Sequence, residues 1–303
     1  MITAEILQNL PSNIIVALTQ LYNTCVRLNY IPETWKVSEV IMVPKPGKPP
    51  NDVTSYRPIS LLPILSKILE KLFLMRLMPL ITRNELIPNH QFGFRAKHST
   101  IDQIHRITDI VSNAFEEKKV CSAVFLDVSQ AFDKVWHEGL DYKLRCHLPK
   151  AFCDFLFCYM QERTFRVRQQ DSYSCLKPIR AGVPQGSILG PILYLLYTSD
   201  IPTGPGYYIA TFADDTALLA TGKSTEETSI VLQDAVNSLT AWTSKWRIKL
   251  NQLKSVHVNF ALIECAPLLI YMDGNPIPFS NTAKYLGMKL DTKLWKECIK
   301  NGD

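Results

Sequence analysis

YYIATFADDTALLA, residues 207–220, contains two strand-forming runs, Tyr207 to Phe212 and Thr216 to Ala220, on either side of the short segment Ala213, Asp214, Asp215. Apolar and β-branched residues bounding a tight polar segment predict a β-hairpin, here with two acids at its tip. Upstream, VCSAVFL (120–126) reads as a buried strand that ends at Asp127. Carboxylates at strand ends must be paired, solvated or metal-bound, and each one taken singly serves equally well as a turn former.

Helical patterns surround these strands. Residues 12 to 30 place apolar side chains at helical spacing until Pro32, and residues 59 to 80 read as helical with Pro63 and Pro79 near the ends. Ser99 and Asp102, three apart and just before the stripe Ile104, Ile107, Ile110, Val111, predict a capped helix over 100–117. Residues 129 to 160 alternate helix and short breaks, 186 to 198 read as a buried helix capped by Ser187, and 225 to 246 as an amphipathic one. Val37 to Val43 is β-like, Phe165 to Gln169 and Ser174 to Arg180 suit an antiparallel pair, and short strands are expected around 254–260, 268–272 and 284–290. Mixed strands and helices without a repeat give an α+β class.

Composition narrows the setting. With 303 residues, 47% hydrophobic and 20% charged, the chain is an ordinary globular one, large enough for one big core or two moderate ones. No apolar run approaches the roughly 20 residues that span a bilayer, and Met1 to Asn9 lacks a signal-peptide pattern, so the expectation is an intracellular protein, nuclear or cytoplasmic, with no membrane partner. A net charge of +5 is compatible with a polyanionic partner without demanding one. The eight cysteines form no C-x-x-C pair; Cys146, His147, Cys153 and Cys158 lie in an apolar stretch where cysteine is usually a small core residue, and reduced thiols are expected.

If the strands ending in Asp127 and Asp214 are neighbours, their carboxylates converge as hard oxygen ligands of the kind that suit Mg²⁺ shared with nucleotide phosphates. Spacing alone goes no further. The motifs do: AVFLDVSQAFDKVWH (123–137), AGVPQGSILGP (181–191) and FADD (212–215) resemble the central motifs of reverse transcriptases, with the jockey-like group of non-LTR retrotransposons the nearest in pattern. WKVSEVIMVPKPGKPPNDVTSYRPISLLPILSKILEKLF (35–73) and NHQFGFRAKHSTIDQI (89–104) resemble the same family's fingers motifs, and LTAWTSKWRIKLNQLKS (239–255) and KYLGMKLD (284–291) its late palm.

The resemblance implies an RNA-directed DNA polymerase with a right-hand fold, using two Mg²⁺ ions (Mn²⁺ as a substitute), an RNA template, a DNA primer and dNTPs. Carried over residue by residue, Asp127 and Asp214 are the metal ligands, Asp215 supports them, and Lys254 is the acid that protonates pyrophosphate, although a solvated lysine explains it equally. Asp133 reads as a solvated or salt-bridged acid. Lys45 (with Lys48 as substitute), Arg57, Phe132 and Gln185 are implied at the dNTP. Arg offers phosphate a bidentate fork, and the Phe132 ring excludes a 2′-hydroxyl, the group that separates ribonucleotides from deoxyribonucleotides. Arg95, Lys97 and His98, then Gly182, Pro184 and Gly186, and finally Tyr285, Leu286 and Gly287, are implied along template and primer.

The expected layout is an N-terminal helical extension (1–35), a reverse transcriptase domain (36–291; fingers about 36–118, palm about 119–291) and a tail (292–303). Only twelve residues follow Asp291, so a largely absent thumb is expected, and an inactive relic that at most binds nucleic acid is the alternative to an active enzyme.

Overall fold

The computed structural model describes residues 4–52, 55–263 and 268–294, in two compact units. One comprises Met1–Ile87 and Phe132–Tyr197, the other Pro88–Ala131 and Thr198–Asp303. The fingers and palm implied by the resemblance are a functional division; the compact units cut the chain elsewhere, and most of the expected tail (295–303) lies outside the described residues.

In the first unit, Val37–Pro44 pairs antiparallel with Tyr56–Leu61 and parallel with Thr164–Gln169, whose far end pairs with Ser172–Tyr173 and whose start pairs with Lys177–Pro178. Of the strand expected over 174–180 only Lys177–Pro178 forms, and Ser172–Tyr173 pairs just before that range. The helix expected from residue 59 begins at Ile64, because Tyr56 to Leu61 make a continuous ladder with the preceding strand, which overrides their helical spacing. Helices Ser12–Leu28, Ile64–Arg83, His137–His147 and Lys150–Met160 surround a core in which Phe73 stacks on Phe155 at 4.2 Å and Tyr22 meets Trp35 at 5.9 Å. The helix expected over 186–198 is confined to Gly190–Tyr197; Ser187 lies three residues before it, and its Oγ accepts the first helical N–H, that of Gly190, at 2.8 Å.

In the second unit, four antiparallel strands run in the order Tyr207–Phe212, Asp215–Gly222, Val120–Leu126, Val256–Phe260. Alternation across this sheet builds a core on each face. Ala123 and Phe125 pack with Ile107 and Val111 of helix Thr100–Glu116 and with Tyr285 and Leu290 of the hairpin Thr282–Tyr285/Met288–Asp291. Val124 and Leu126 pack with Leu232, Val236 and Leu239 of helix Thr225–Lys245. With both faces covered, Val120–Leu126 is buried at every residue, which is why it reads as a continuous apolar run. Helix Thr100–Glu116 starts with the anticipated capping box: Asp102 N–H donates to Ser99 Oγ and Ser99 N–H to Asp102 Oδ2. The strand expected around 284–290 is this hairpin, turning at Leu286 (φ +50°) and Gly287 (φ +88°).

Candidate active site

The acids gather at one end of the four-stranded sheet. Register pairs Leu126 with Thr216 and Phe212 with Asp215, so one further step along the ladder sets Asp127 opposite Asp215, with Asp214 in the turn between. Asp127 is held through its backbone, its N–H donating to Ser255 Oγ at 3.3 Å and its carbonyl accepting the Asn251 N–H at 2.8 Å. The Asp215 carboxyl is pushed up to about 6, first by desolvation and then by the charges of Asp214 and Asp127, although the residue as a whole is exposed. Repulsion of this kind marks a site that gains by taking up a cation.

Hard carboxylate oxygens in a shared negative field fit Mg²⁺. Among the described residues no three His, Cys, Asp or Glu are grouped as a ready-made metal cage. The same observation covers Cys146, His147, Cys153 and Cys158, which do not form such a group.

The turn has a support that sequence reasoning missed. Gln91, 4% exposed, accepts the N–H of Gly93 (2.8 Å) and of Ala213 (2.9 Å) on Oε1, while its Nε2 donates to the Ala213 carbonyl at 3.2 Å. Ala213 stands at φ +56°, a left-handed conformation that costs a non-glycine residue about 1 kcal/mol. A Cβ on Gly93 would lie 2.2 Å from Ala213 N, so only glycine lets this loop lie against the turn. Phe92 N–H donates to Thr211 O and Thr211 N–H to His90 O, extending the stitching along the strand.

Lys45, Arg57, Phe132 and Gln185 all fall in the first unit. Arg57 opposes Val43, and Lys45 N–H donates to Ser55 O, so period-2 alternation puts Lys45 and the exposed Arg57 on one face of the hairpin. The strand bearing Arg57 also holds the 182–187 loop: Ser60 N–H donates to Gln185 O at 2.7 Å. Val183 N–H donates to Phe132 O and Gly182 N–H to Val135 O, each at 2.8 Å, which straps that loop to the Phe132–Lys134 turn. Gln185 Nε2 donates to Asp133 Oδ1. Asp133, expected to be solvated or salt-bridged, is exposed and also accepts this bond from the loop amide. Phe132 stacks on Tyr194, ring centroids 4.6 Å apart. Glu70, 1% exposed, accepts the N–H groups of Ile188 (2.7 Å) and Leu189 (3.2 Å); inside an apolar helical pattern nothing in the sequence marked it.

Several residues implied along template and primer are occupied by the protein itself. Gly182 and Gly186 admit the chain's own backbone, since a Cβ would lie 2.7 Å from Asp133 O and 2.5 Å from Ser60 O respectively. Pro184 is buried, its carbonyl accepting from Ser187 Oγ at 2.9 Å. Arg95 Nη1 donates to Pro88 O and Gln91 O, tying its own loop, and His98 packs edge-on to Phe92 with Nδ1 at 2.9 Å from Ala96 O. Tyr285 is a core residue whose hydroxyl donates to Ala210 O at 3.3 Å, and Leu286 and Gly287 follow it in the hairpin turn. Lys254 is exposed, two residues before the start of the strand Val256–Phe260.

The chain is 41% identical over 298 residues to a probable RNA-directed DNA polymerase from transposon BS of Drosophila melanogaster (95% of this chain, 33% of the relative). It is 40% identical over 293 residues to the RNA-directed DNA polymerase from mobile element jockey of the same species (94% and 32%). The chain therefore spans about a third of the length of these curated relatives. Among solved structures, the apo telomerase of Candida tropicalis truncated from its C-terminal domain aligns with a TM-score of 0.58 and 14% identity over 88% of this chain and 55% of that one. That likeness carries the fold alone, an α+β right-hand polymerase fold. The family model described as reverse transcriptase (RNA-dependent DNA polymerase) matches residues 43–290, a span that holds the acidic turn, Asp127 and the glycine-bounded loop together, and the chain belongs to that family.

Proposed function

We propose that this chain is the polymerase portion of a non-LTR retrotransposon reverse transcriptase, extending a DNA primer 3′ end on an RNA template with dNTPs. The observation that carries this reading is the register that sets Asp127 opposite Asp215, with Asp214 in the adjoining turn. Asp127 and Asp214 would hold divalent metal, Mg²⁺ by the hardness of their oxygens, and Asp215 would add negative potential. Two such ions, when bound, activate an attacking hydroxyl and stabilise a departing pyrophosphate.

The chain's own groups do the rest. Lys45 and Arg57 offer positive charge from one face of their hairpin to a triphosphate, Arg as a fork and Lys as a point charge. Phe132, braced by Tyr194, closes the space a 2′-hydroxyl would need, and Gln185 borders the nucleotide. Lys254, exposed, is within the chemistry of a general acid for pyrophosphate. His98, Leu286 and Gly287 are assigned to the template and primer backbones. Primer extension on poly(rA)/oligo(dT) tests the reading: Asp214→Asn should abolish extension while leaving the fold intact, because it removes a metal ligand and relieves repulsion at once. Wild-type extension by a folded Asp214→Asn protein would overturn it.

A further inference from the structure

We propose that Gln91 is a positioning residue for the acidic turn: its side-chain amide holds Ala213 in its left-handed conformation and so fixes where the Asp214 carboxylate stands. The inference rests on the metal-site reading above and adds a residue to it. One amide satisfies both backbone groups of Ala213, accepting its N–H at 2.9 Å and donating to its carbonyl at 3.2 Å. The remaining lone pair on Oε1 takes the Gly93 N–H at 2.8 Å, so the amide is itself locked by its own loop. Its orientation is therefore determined on both sides. Neither a carboxylate nor a hydroxyl at this reach offers two acceptor lone pairs and a donor on separate atoms.

The surrounding contacts make the amide a fixed point. Gln91 is bridged to Thr211, and Gln103, fully buried, donates to both His90 O (3.2 Å) and Thr211 O (3.1 Å). The segment His90 to Gly93 is thus fastened to the strand that enters the turn, and Gln91 reaches past the strand end to Ala213, whose backbone stands at positive φ. Asp214 follows that residue directly. A displacement of the turn by one ångström would move a metal ligand by a similar amount, and misplacement on that scale costs chemistry about a hundredfold.

The test uses the 303-residue protein carrying Gln91→Met, which keeps length and apolar packing but has no amide. Expected results are a single-nucleotide addition rate reduced about 30-fold or more, a dNTP KM within about threefold of wild type, and weaker Mn²⁺ binding in a titration read by electron paramagnetic resonance without nucleic acid. Adding Ala213→Gly to Gln91→Met should recover part of the Mn²⁺ affinity, because glycine adopts the positive φ unaided. If Gln91→Met fails to fold, Gln91→Glu replaces it with addition rate as the readout; ionised, this variant keeps the two accepted bonds but sets a carboxylate oxygen against Ala213 O in place of the donor, and the addition rate should fall at least as far. Wild-type addition rate and Mn²⁺ affinity in a folded variant, or a defect confined to KM, would overturn the proposal. Asp214→Asn run beside it separates the two ideas: unchanged Mn²⁺ binding in that variant counts against the metal site itself, whereas loss there with none in Gln91→Met counts against Gln91 alone.

Discussion

Gln185 donates its side-chain N–H to Asp133 Oδ1 at 2.9 Å, across 52 residues of sequence. The bond ties the amide of the glycine-bounded loop to the turn that carries Phe132. Desolvation raises the Asp133 carboxyl, although the residue as a whole is exposed, and the Gln185 bond opposes that rise because it favours the ionised acceptor. Asp133→Ala should release the amide and raise the dNTP KM about threefold, with kcat little changed, whereas Asp133→Asn, which keeps an acceptor oxygen, should stay near wild type. Steady-state kinetics on one template decide it; equal KM values for the two variants would show that Gln185 does not depend on Asp133.

A second hold on the same loop comes from Glu70. Its carboxylate takes two backbone N–H groups at the approach to helix Gly190–Tyr197, with burial pushing its pKa up and those two bonds opposing the push. Arg163, 2% exposed, contributes opposite charge nearby and donates to Tyr159 O. Glu70→Ala leaves two buried donors and a buried cation without this partner, which should cost about 3 kcal/mol. Glu70→Gln keeps an oxygen for both N–H groups and should lose less. Urea unfolding of the two variants measures the difference, and equal losses would mean that the charge, and not the bonds, matters.

These two supports show which parts of the molecule were legible in sequence. Val120–Leu126 and Tyr207–Phe212 were readable because burial on both faces or a hairpin boundary leaves a local signature. The Ser99 cap was readable because its partner lies three residues away. The helical spacing of residues 59–61 misleads because the pairing of Tyr56–Leu61 with Val37–Pro44, across a proline-rich loop, decides its conformation. Gln91 and Glu70 left no local mark, since their partners stand 122 and 118 residues downstream and an amide or a carboxylate inside an otherwise ordinary pattern has no period. The acids themselves were found by position, but their mutual register needed the sheet.

Acid sensitivity should come from the second unit. His257, 1% exposed, is depressed to about 4 by burial, opposed only in part by Asn259, and His90 is likewise depressed to about 4 by burial and by the charges of Arg106 and Arg95. A histidine whose folded pKa lies below its unfolded value of about 6.5 contributes stability that is present above 6.5 and is lost as pH falls towards 4. For His257 the full loss is about 3 kcal/mol. His257→Leu should flatten the stability profile between pH 6.5 and 4 in denaturant titrations; an unchanged slope would place the acid sensitivity elsewhere.

The last expectation concerns sugar choice. Phe132 and Tyr194 stack with an interplanar angle of 25°, and Tyr194, 2% exposed, is fixed within helix Gly190–Tyr197. Phe132 is further held by its own carbonyl, which accepts the Val183 N–H, so both ring and backbone are constrained. If the ring is what excludes a 2′-hydroxyl, Phe132→Val should raise incorporation of rNTPs relative to dNTPs by opening that space. Tyr194→Leu should do the same more weakly, because it removes a stacking contact of about 1 kcal/mol, corresponding to roughly fivefold in the population of the braced ring. Competition between a dNTP and its rNTP on one template reads both variants. A shift in Phe132→Val with none in Tyr194→Leu would show that the ring needs no brace, and no shift in either would return Phe132 to the core as a packing residue.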